Sequence, residues 1–410
     1  MRTGNFGPAQ IAVFEMTQKR RNSLAPIKSI AHLHPSRNQR AKCILMILFC
    51  LAFAGFVAAQ PPPPHPELRK PVAERLAAIP NLDARLATLE KALDSASDQT
   101  SLSATTARYT LEILKDAIAD PKAYEARSLQ FSTFPPVPKA PSKELSDYIA
   151  TLDPLDIDLD AELARSEMLA VAVQNGRDPM AGVTGDVHLA YRSSLDGMLL
   201  PYRIYVPKGY TPTLNYPLIV FLHGAMSDEN TFMAPEVLQP AAERYGYLVV
   251  AINGRGPISF YSKESGAQQD MLDVMVLMQK YYKVDSNRVF LTGHSMGGMG
   301  TWKLGLEFRE KFAALAPQAG TGLMPDLDAK LTTGRKIPIL ITVGGKDSNV
   351  LPGPAIEVYR KLKEAGYPTK IVVYPEDDHN TVFHSSVPEV FGWFDKFGKS
   401  LPAGAANCPR

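Results

Sequence analysis

Cysteine is scarce in this 410-residue sequence, which has only three, and Cys43 and Cys50 share one apolar run near the start. Removal of that run would leave Cys408 alone, and a single cysteine cannot form an internal disulfide. No cysteines and histidines cluster with the spacing of a zinc site, and we expect no metal and no cofactor. The fold must therefore rest on a hydrophobic core, for which 45% apolar residues are ample.

A basic surface of the kind that binds nucleic acid is also missing. The formal net charge of +2 is misleading, because residues 1–59 hold eight lysines and arginines and a single acid. The rest of the chain has 36 basic and 41 acidic side chains and is therefore weakly acidic. We expect no nucleic-acid partner.

Residues 1–59 have the pattern of an export signal. A basic segment precedes the apolar run "CILMILFCLAFAGFVAA", and Val57 and Ala59 have the spacing that a signal peptidase accepts. The run is shorter than the ~20 residues that span a bilayer comfortably, so we expect cleavage near Ala59 and no stable membrane insertion. The alternative is a retained membrane anchor. The pattern predicts a secreted or periplasmic protein.

Residues 60–176 predict a Pro-rich spacer and then a small helical region. Apolar residues recur at three- and four-residue steps, and Pro80 divides the first such segment into two helices. A Pro-rich break at 131–143 precedes a last helix that ends at Gly176. We expect this region to pack against the next domain, the alternative being a lid or a partner-binding surface. The periodic residues are Leu76, Ile79, Leu82, Leu86, Leu89, Leu93, Leu102, Tyr109, Ile113, Leu114 and Ile118.

Residues 177–402 change to strands that alternate with helices. Two strands joined through "LDGM" form a hairpin-like opening, and runs such as "YPLIVFLHG" are typical of strands buried on both faces. This alternation predicts an α/β domain with a mostly parallel, doubly wound sheet. Ligands of such sheets bind at the carboxyl ends of the strands, and each motif described next follows a strand.

The segment Gly293-His294-Ser295-Met296-Gly297 matches G-x-S-x-G between a strand and a helix. A serine on so sharp a turn is strained, and its neighbours two residues away must nearly lack side chains. Its hydroxyl then projects above the sheet, beside the amides of a helix N-terminus. A phosphate loop is excluded because G-x-x-x-x-G-K-[ST] is absent, which leaves a purely structural turn as the alternative to a nucleophile.

A serine hydroxyl needs a base, and the expected order in this fold is serine, acid, histidine. Asp347 follows the buried strand "ILITVGG", and His379 follows the next strand "TKIVVYP". We therefore predict that His379 takes the serine proton and that Asp347 orients its ring. His384 is the alternative base, but it lies five residues further from the strand.

An oxyanion needs backbone amide donors. One is predicted at Met296, directly after the serine, and the other in the loop "FLHGAMSDEN", at Ala225 or alternatively at Met226. His223 is expected to shape this loop and is a candidate substrate contact.

The segment "GRGPISFYSKESG" follows the fourth strand and is predicted to line the substrate pocket. Phe260 and Tyr261 would suit an apolar or aromatic group of the substrate. The alternative for both is ordinary loop packing. Arg255 could bind a carboxylate or brace the loop.

Residues of about 185–400 resemble the α/β-hydrolase superfamily, particularly secreted esterases of the polyhydroxybutyrate-depolymerase and feruloyl-esterase type and prolyl-oligopeptidase-like catalytic domains. The resemblance lies in "DGMLLPYRIYVPKGY", "YPLIVFLHGAMSDENTF", "VDSNRVFLTGHSMGGMGTW", "FAALAPQAG" and "GGKDSNV". It implies Ser295, Asp347 and His379 as the triad and a pairing of Asp285 with Arg288. The helices before residue 176 depart from the core fold, and we expect no propeller of the kind that full prolyl oligopeptidases carry.

These observations predict a serine hydrolase that cleaves small-molecule or oligomeric carboxylic esters through an acyl-enzyme. An exo- or oligopeptidase with the same triad is the alternative within enzymes, because the motifs do not distinguish ester from amide substrates. An exported binding protein with a vestigial hydrolase domain is the alternative from another class, which an intact set of nucleophile, acid and base opposes.

Overall fold

The computed structural model describes residues 72–120, 159–225, 227–230, 237–256 and 258–397. The predicted signal segment, the Pro-rich spacer, Cys408 and Met226 lie outside these residues. Within the described ranges, no helix combines the length and the hydropathy needed to cross a membrane.

The predicted helical region is present. Among the residues that the structure describes, four helices precede the first strand: α1 (Val72–Ala77), α2 (Leu82–Asp94), α3 (Leu102–Ala119) and α4 (Leu159–Gln174). Pro80 separates α1 from α2, and Gly176 follows α4 with a left-handed φ of 67°, as the sequence predicts. The side chain of Ser101 accepts a hydrogen bond from the Ala104 amide and caps α3.

The described strands form a single eight-stranded sheet in the order β1-β2-β4-β3-β5-β6-β7-β8. β1 and β2 form an antiparallel hairpin, β2 pairs antiparallel with β4, and every other pair is parallel. The α/β prediction with a mostly parallel sheet is confirmed. The strands are β1 (Gly185–Arg192), β2 (Leu199–Val206), β3 (Tyr216–Leu222), β4 (Leu248–Ile252), β5 (Val284–His294), β6 (Ala314–Gln318), β7 (Ile339–Gly344) and β8 (Thr369–Tyr374).

Helices cover both faces of the sheet. Successive strand residues point to opposite faces, and each face is buried in its own hydrophobic core. In β3, Leu218, Val220 and Leu222 enter the larger core, whereas Ile219 and Phe221 enter the smaller one. The smaller core packs against α5 (Leu238–Tyr245) and α10 (Thr381–Phe394). The larger core packs against the N-terminal helices, α6 (Ala267–Tyr281), α7 (Met296–Glu307), α8 (Leu327–Thr332) and α9 (Pro352–Glu364).

The N-terminal helices cover the open edge of β1. The hydroxyl of Thr105 donates to the Ala190 carbonyl at 2.8 Å, and the Ala190 amide donates to the hydroxyl of Thr106 at 3.1 Å. Arg165 of α4 donates to the His188 carbonyl at 2.8 Å. An uncovered edge strand would leave these groups available to another chain, so the helices complete the sheet as well as sharing its hydrophobic core.

Helices α5 and α10 differ from the sequence-based expectation. α5, between β3 and β4, is short and carries no long apolar stripe, so no sequence pattern predicts it. α10 begins at Thr381, whereas the apolar pattern of residues 387–400 predicts a closing helix that begins only at Val387. It starts at Thr381 because the Asp378 carboxylate accepts hydrogen bonds from the amides of Asn380 and Thr381, at 3.0 and 2.9 Å.

Candidate active site

Ser295 lies on a strained turn between β5 and α7. Its backbone has φ 56° and ψ −115°, a conformation that costs energy for any residue with a side chain. A Cβ built on Gly297 would lie 1.9 Å from the Leu222 carbonyl oxygen, and one on Gly293 would lie 2.5 Å from the same atom. Both glycines are therefore required because the elbow presses against the end of β3.

His379 contacts both predicted partners. Its Nε2 lies 2.8 Å from the Ser295 hydroxyl oxygen, and its Nδ1 lies 2.8 Å from an Asp347 carboxylate oxygen. Because an ionised carboxylate only accepts, Nδ1 carries the hydrogen of the neutral ring and Nε2 is free to accept from the serine. All three side chains are buried, whereas His384 is exposed on α10. The structure thus brings Ser295, His379 and Asp347 together and leaves His384 outside this group.

The Asp347 carboxylate is held by its own turn. Its other oxygen accepts from the backbone amides of Asn349 and Val350, at 2.9 and 2.8 Å. The turn is bound in addition to the loop of the histidine, because the Lys346 amide donates to the Asp377 carbonyl at 2.9 Å. These bonds fix the position of the Asp347 carboxylate relative to the imidazole. Its second oxygen remains to accept a hydrogen bond from the His379 ring.

His294 supports the base from the elbow itself. Its Nε2 lies 2.6 Å from the carbonyl oxygen of His379, and Nε2 must donate because a carbonyl only accepts. Burial, with a smaller contribution from the nearby His379, lowers the pKa of His294 to about 3. The ring is therefore neutral at ordinary pH and joins the nucleophile turn to the backbone of the base.

The predicted oxyanion donors lie on the two segments that meet at the serine. Met296 is the first residue of α7, so its amide is among those without a partner inside the helix. The loop after β3 passes close by, since a Cβ on Gly224 would lie 3.5 Å from the Ser295 Cβ. Ala225 follows directly and is half-buried.

Two of the predicted substrate contacts are packed in the interior. His223 has no exposed surface, and its ring nitrogens face the carbonyls of Gly224 and Asn253 at 2.8 and 2.7 Å. Tyr261 is likewise fully buried, and its hydroxyl donates to the His223 carbonyl at 3.2 Å. The structure therefore favours loop shaping for His223 and the packing alternative for Tyr261, because neither offers a surface to a substrate.

Phe260 differs from its neighbour. It is half-buried, and its amide donates to the thioether sulfur of Met296 at 3.3 Å, which puts the residue beside the elbow. Phe260 and Tyr261 both have left-handed backbones, with φ of 50° and 47°. Arg255 is buried in ion pairs with Asp270, at 2.6 Å, and with Asp196, so it braces this loop.

A buried acid in the loop after β3 has no local sequence signal. Glu229 is 2% exposed and lies 2.9 Å from Nε2 of His188 on β1. Its second oxygen accepts from the Asn253 side chain at 2.9 Å. Burial opposes the charged carboxylate, but the hydrogen bond and charge of His188 outweigh it and lower the pKa of Glu229. The sequence does not reveal this pair because its partners are 41 positions apart.

Gln318 at the end of β6 is a second residue without a local signal. Its carbonyl accepts from the Ser295 amide at 2.9 Å, and its side chain is held by the hydroxyls of Thr292 and Ser386. Across the described ranges, no group of three or more His, Cys, Asp or Glu could hold a metal ion. The arrangement of Ser295, His379 and Asp347 can activate a hydroxyl and orient a base.

Parts of this chain are similar to known hydrolases. Residues 259–389 match the model of the dienelactone hydrolase family. A bifunctional acetylxylan esterase/xylanase from Neocallimastix patriciarum is 30% identical over 160 residues, which are 39% of this chain and 23% of that protein. The acylamino-acid-releasing enzyme of Rattus norvegicus is 26% identical over 211 residues, 40% of this chain and 28% of that protein.

A thermostable esterase of known structure is 25% identical, with a TM-score of 0.43, and the match covers 52% of this chain and 63% of the esterase chain. A ferulic acid esterase from Anaeromyces mucronatus, at 17% identity and a TM-score of 0.45, covers 52% of this chain and 90% of its own. This chain spans less than a third of either sequence relative named above. The sheet order and the serine elbow are those of the α/β-hydrolase fold, which the sheet-bearing part of the chain therefore has.

Proposed function

We propose that the protein is a serine hydrolase that cleaves carboxylic esters through an acyl-enzyme. The observation that carries the proposal is the unbroken contact from Ser295 through both nitrogens of His379 to Asp347. The strained backbone of Ser295 supports it, because a purely structural turn has no need of this conformation. The similarity to an acetylxylan esterase favours an ester as the substrate.

In the first half of the reaction the Ser295 oxygen attacks the ester carbonyl while His379 Nε2 takes the hydroxyl proton. The carbonyl becomes a tetrahedral oxyanion, which the amides of Met296 and Ala225 stabilise. When the bond to the alcohol oxygen breaks, His379 returns the proton to that oxygen. Water then attacks the acyl-enzyme by the same route, and the products are one carboxylic acid and one alcohol.

Peptide hydrolysis is the second candidate. Its support is the similarity to an acylamino-acid-releasing enzyme, which matches this chain over a comparable length. The same three residues would act on an amide, but the amine is a poorer leaving group than an alcohol. The two candidates therefore differ in the leaving group that the site accepts, which can be measured directly.

Export is part of the proposal. It rests on the basic segment and apolar run of residues 1–59, which lie outside the described residues. A secreted or periplasmic hydrolase would meet small-molecule or oligomeric esters outside the cytoplasm, and the proposal includes no nucleic-acid partner and no membrane anchor after cleavage.

Burst kinetics test the proposal. The protein is mixed rapidly with p-nitrophenyl butyrate, and an aminoacyl p-nitroanilide is run in parallel. An ester hydrolase releases one equivalent of p-nitrophenol before the steady state, and Ser295→Ala abolishes this burst. Comparable turnover of the anilide would favour the peptidase. A folded wild-type protein without turnover of either substrate would refute a hydrolase of these classes.

A further inference from the structure

One residue, Asn253, forms hydrogen-bond contacts with the loop after β3 at two points. Asn253 follows β4, and its backbone carbonyl faces Nε2 of His223 at 2.7 Å. Its side-chain amide donates to Glu229 at 2.9 Å. Ala225 lies between the two fastened residues. The position of the Ala225 amide, and hence its reach toward an oxyanion, therefore depends on both attachments.

Glu229 also connects the loop after β3 to the edge strand β1 of the sheet. Its carboxylate accepts from His188 at 2.9 Å and from the side chain of Asn230 at 3.2 Å. Such a buried and fully hydrogen-bonded carboxylate holds its surroundings rigidly, and removal of its charge leaves the partner groups unsatisfied. No step of the proposed reaction uses this acid, which calls for another role.

His188 in turn contacts the N-terminal helices. The ring of Tyr109 on α3 stands edge-on to the His188 ring with centroids 6.3 Å apart. Arg165 on α4 donates to the His188 carbonyl. The contacts thus run from the N-terminal helices through His188 and Glu229 to the loop of the proposed oxyanion donor.

We propose that Glu229, together with His188 and Asn253, is a positioning residue for the loop after β3, which carries the oxyanion donor Ala225. In this proposal the N-terminal helices support catalysis through their contacts with His188. The inference rests on the proposed serine hydrolase function. It assigns the helices a role in the reaction beyond covering the edge strand, although they lie outside the core hydrolase fold.

The test compares ground-state with transition-state binding in the full chain. Glu229→Gln keeps the shape and loses the charge. We expect its pre-steady-state acylation rate constant with p-nitrophenyl butyrate to fall by about 10- to 100-fold, since a misplaced oxyanion donor acts only on the transition state. The dissociation constant of the ester should change less than about twofold. Butylboronic acid, which forms a tetrahedral adduct with the serine, should bind more weakly by the factor by which acylation falls.

Glu243→Gln is the matched control. Glu243 also accepts two hydrogen bonds, from the Tyr205 hydroxyl at 2.7 Å and the Lys208 amide at 2.9 Å. It lies at the opposite end of the strands, because Tyr205 pairs with Val249 near the start of β4. Its acylation and boronate binding should equal those of the wild type. The double variant His188→Gln/Glu229→Gln should lose no more than Glu229→Gln, since one network carries both effects.

Each outcome decides one claim. Wild-type protein with neither ester turnover nor boronate inhibition refutes the proposed function itself. Normal wild-type behaviour with unchanged acylation in Glu229→Gln overturns only the positioning role. Equal weakening of ester and boronate binding would also overturn it, because that is general damage to the pocket. Should Glu229→Gln fail to fold, His188→Gln decides by the same comparison: selective loss of acylation and boronate binding supports the role, and unchanged values reject it.

Discussion

The neutral, buried His294 makes the stability of the domain depend on acid in a defined way. Its pKa is about 3 in the folded protein, against 6.5 for an unperturbed histidine. Between these values the unfolded chain binds a proton at this residue and the folded chain does not. Stability is therefore full above pH 6.5 and is lost as the pH falls toward 3.

The size of the effect follows from the two pKa values. One pH unit is worth 1.36 kcal/mol per proton, and pH 5 lies 1.5 units below the unfolded pKa, so the loss from His294 is about 2 kcal/mol. Other groups titrate in the same range, and the contribution of His294 is isolated by comparison with His294→Gln. The glutamine amide can still donate to the His379 carbonyl but does not take up a proton.

The assay is equilibrium urea unfolding of both proteins at pH 7.5 and at pH 5. We expect the free energy of unfolding to fall by about 2 kcal/mol more in the wild type than in His294→Gln over this interval. Parallel losses in the two proteins would refute the reasoning, because they would mean that the folded protein admits the proton at His294 as readily as the unfolded chain.

Three further predictions concern the base, the elbow and the edge strand. His379→Ala should lower ester turnover by about 10³-fold or more in a protein that stays folded, whereas His384→Ala should leave turnover unchanged, and the reverse result would make His384 the base. Gly297→Ala should destabilise by about 3 kcal/mol, because its Cβ would collide with a fixed carbonyl of β3, and wild-type urea stability would contradict that packing. Replacement of Thr105 and Thr106 by valine should cost about 1–3 kcal/mol for each unsatisfied backbone group, with equal unfolding midpoints as the contrary result.

The sequence predicted those parts of the site that depend on a short local pattern. The elbow glycines, the acid and the histidine each follow a recognisable apolar strand, and parallel strands end at one edge of the sheet. The order of strands and helices was predictable for the same reason. The turns directly after the strands therefore carried most of the sequence information about the catalytic residues.

Other contacts were not predictable because their partners are remote in sequence. In the sequence Glu229 is one acid among other polar loop residues, and only the folded structure places it beside His188. The sequence left Tyr261 open between a pocket residue and ordinary loop packing, and only the tertiary structure shows that its ring is buried in the interior. The covering of β1 by Thr105 and Thr106 likewise depends on tertiary contact that helical periodicity does not encode.

The most direct test of the central claim is covalent labelling of the full chain with a fluorophosphonate, followed by intact-protein and peptide mass spectrometry. Attack by the serine oxygen on phosphorus displaces fluoride, so the account predicts one phosphonyl group per molecule, located on Ser295 and formed much more slowly in His379→Ala. Absence of labelling in the folded wild type, or a label on another residue that persists in Ser295→Ala, would contradict it.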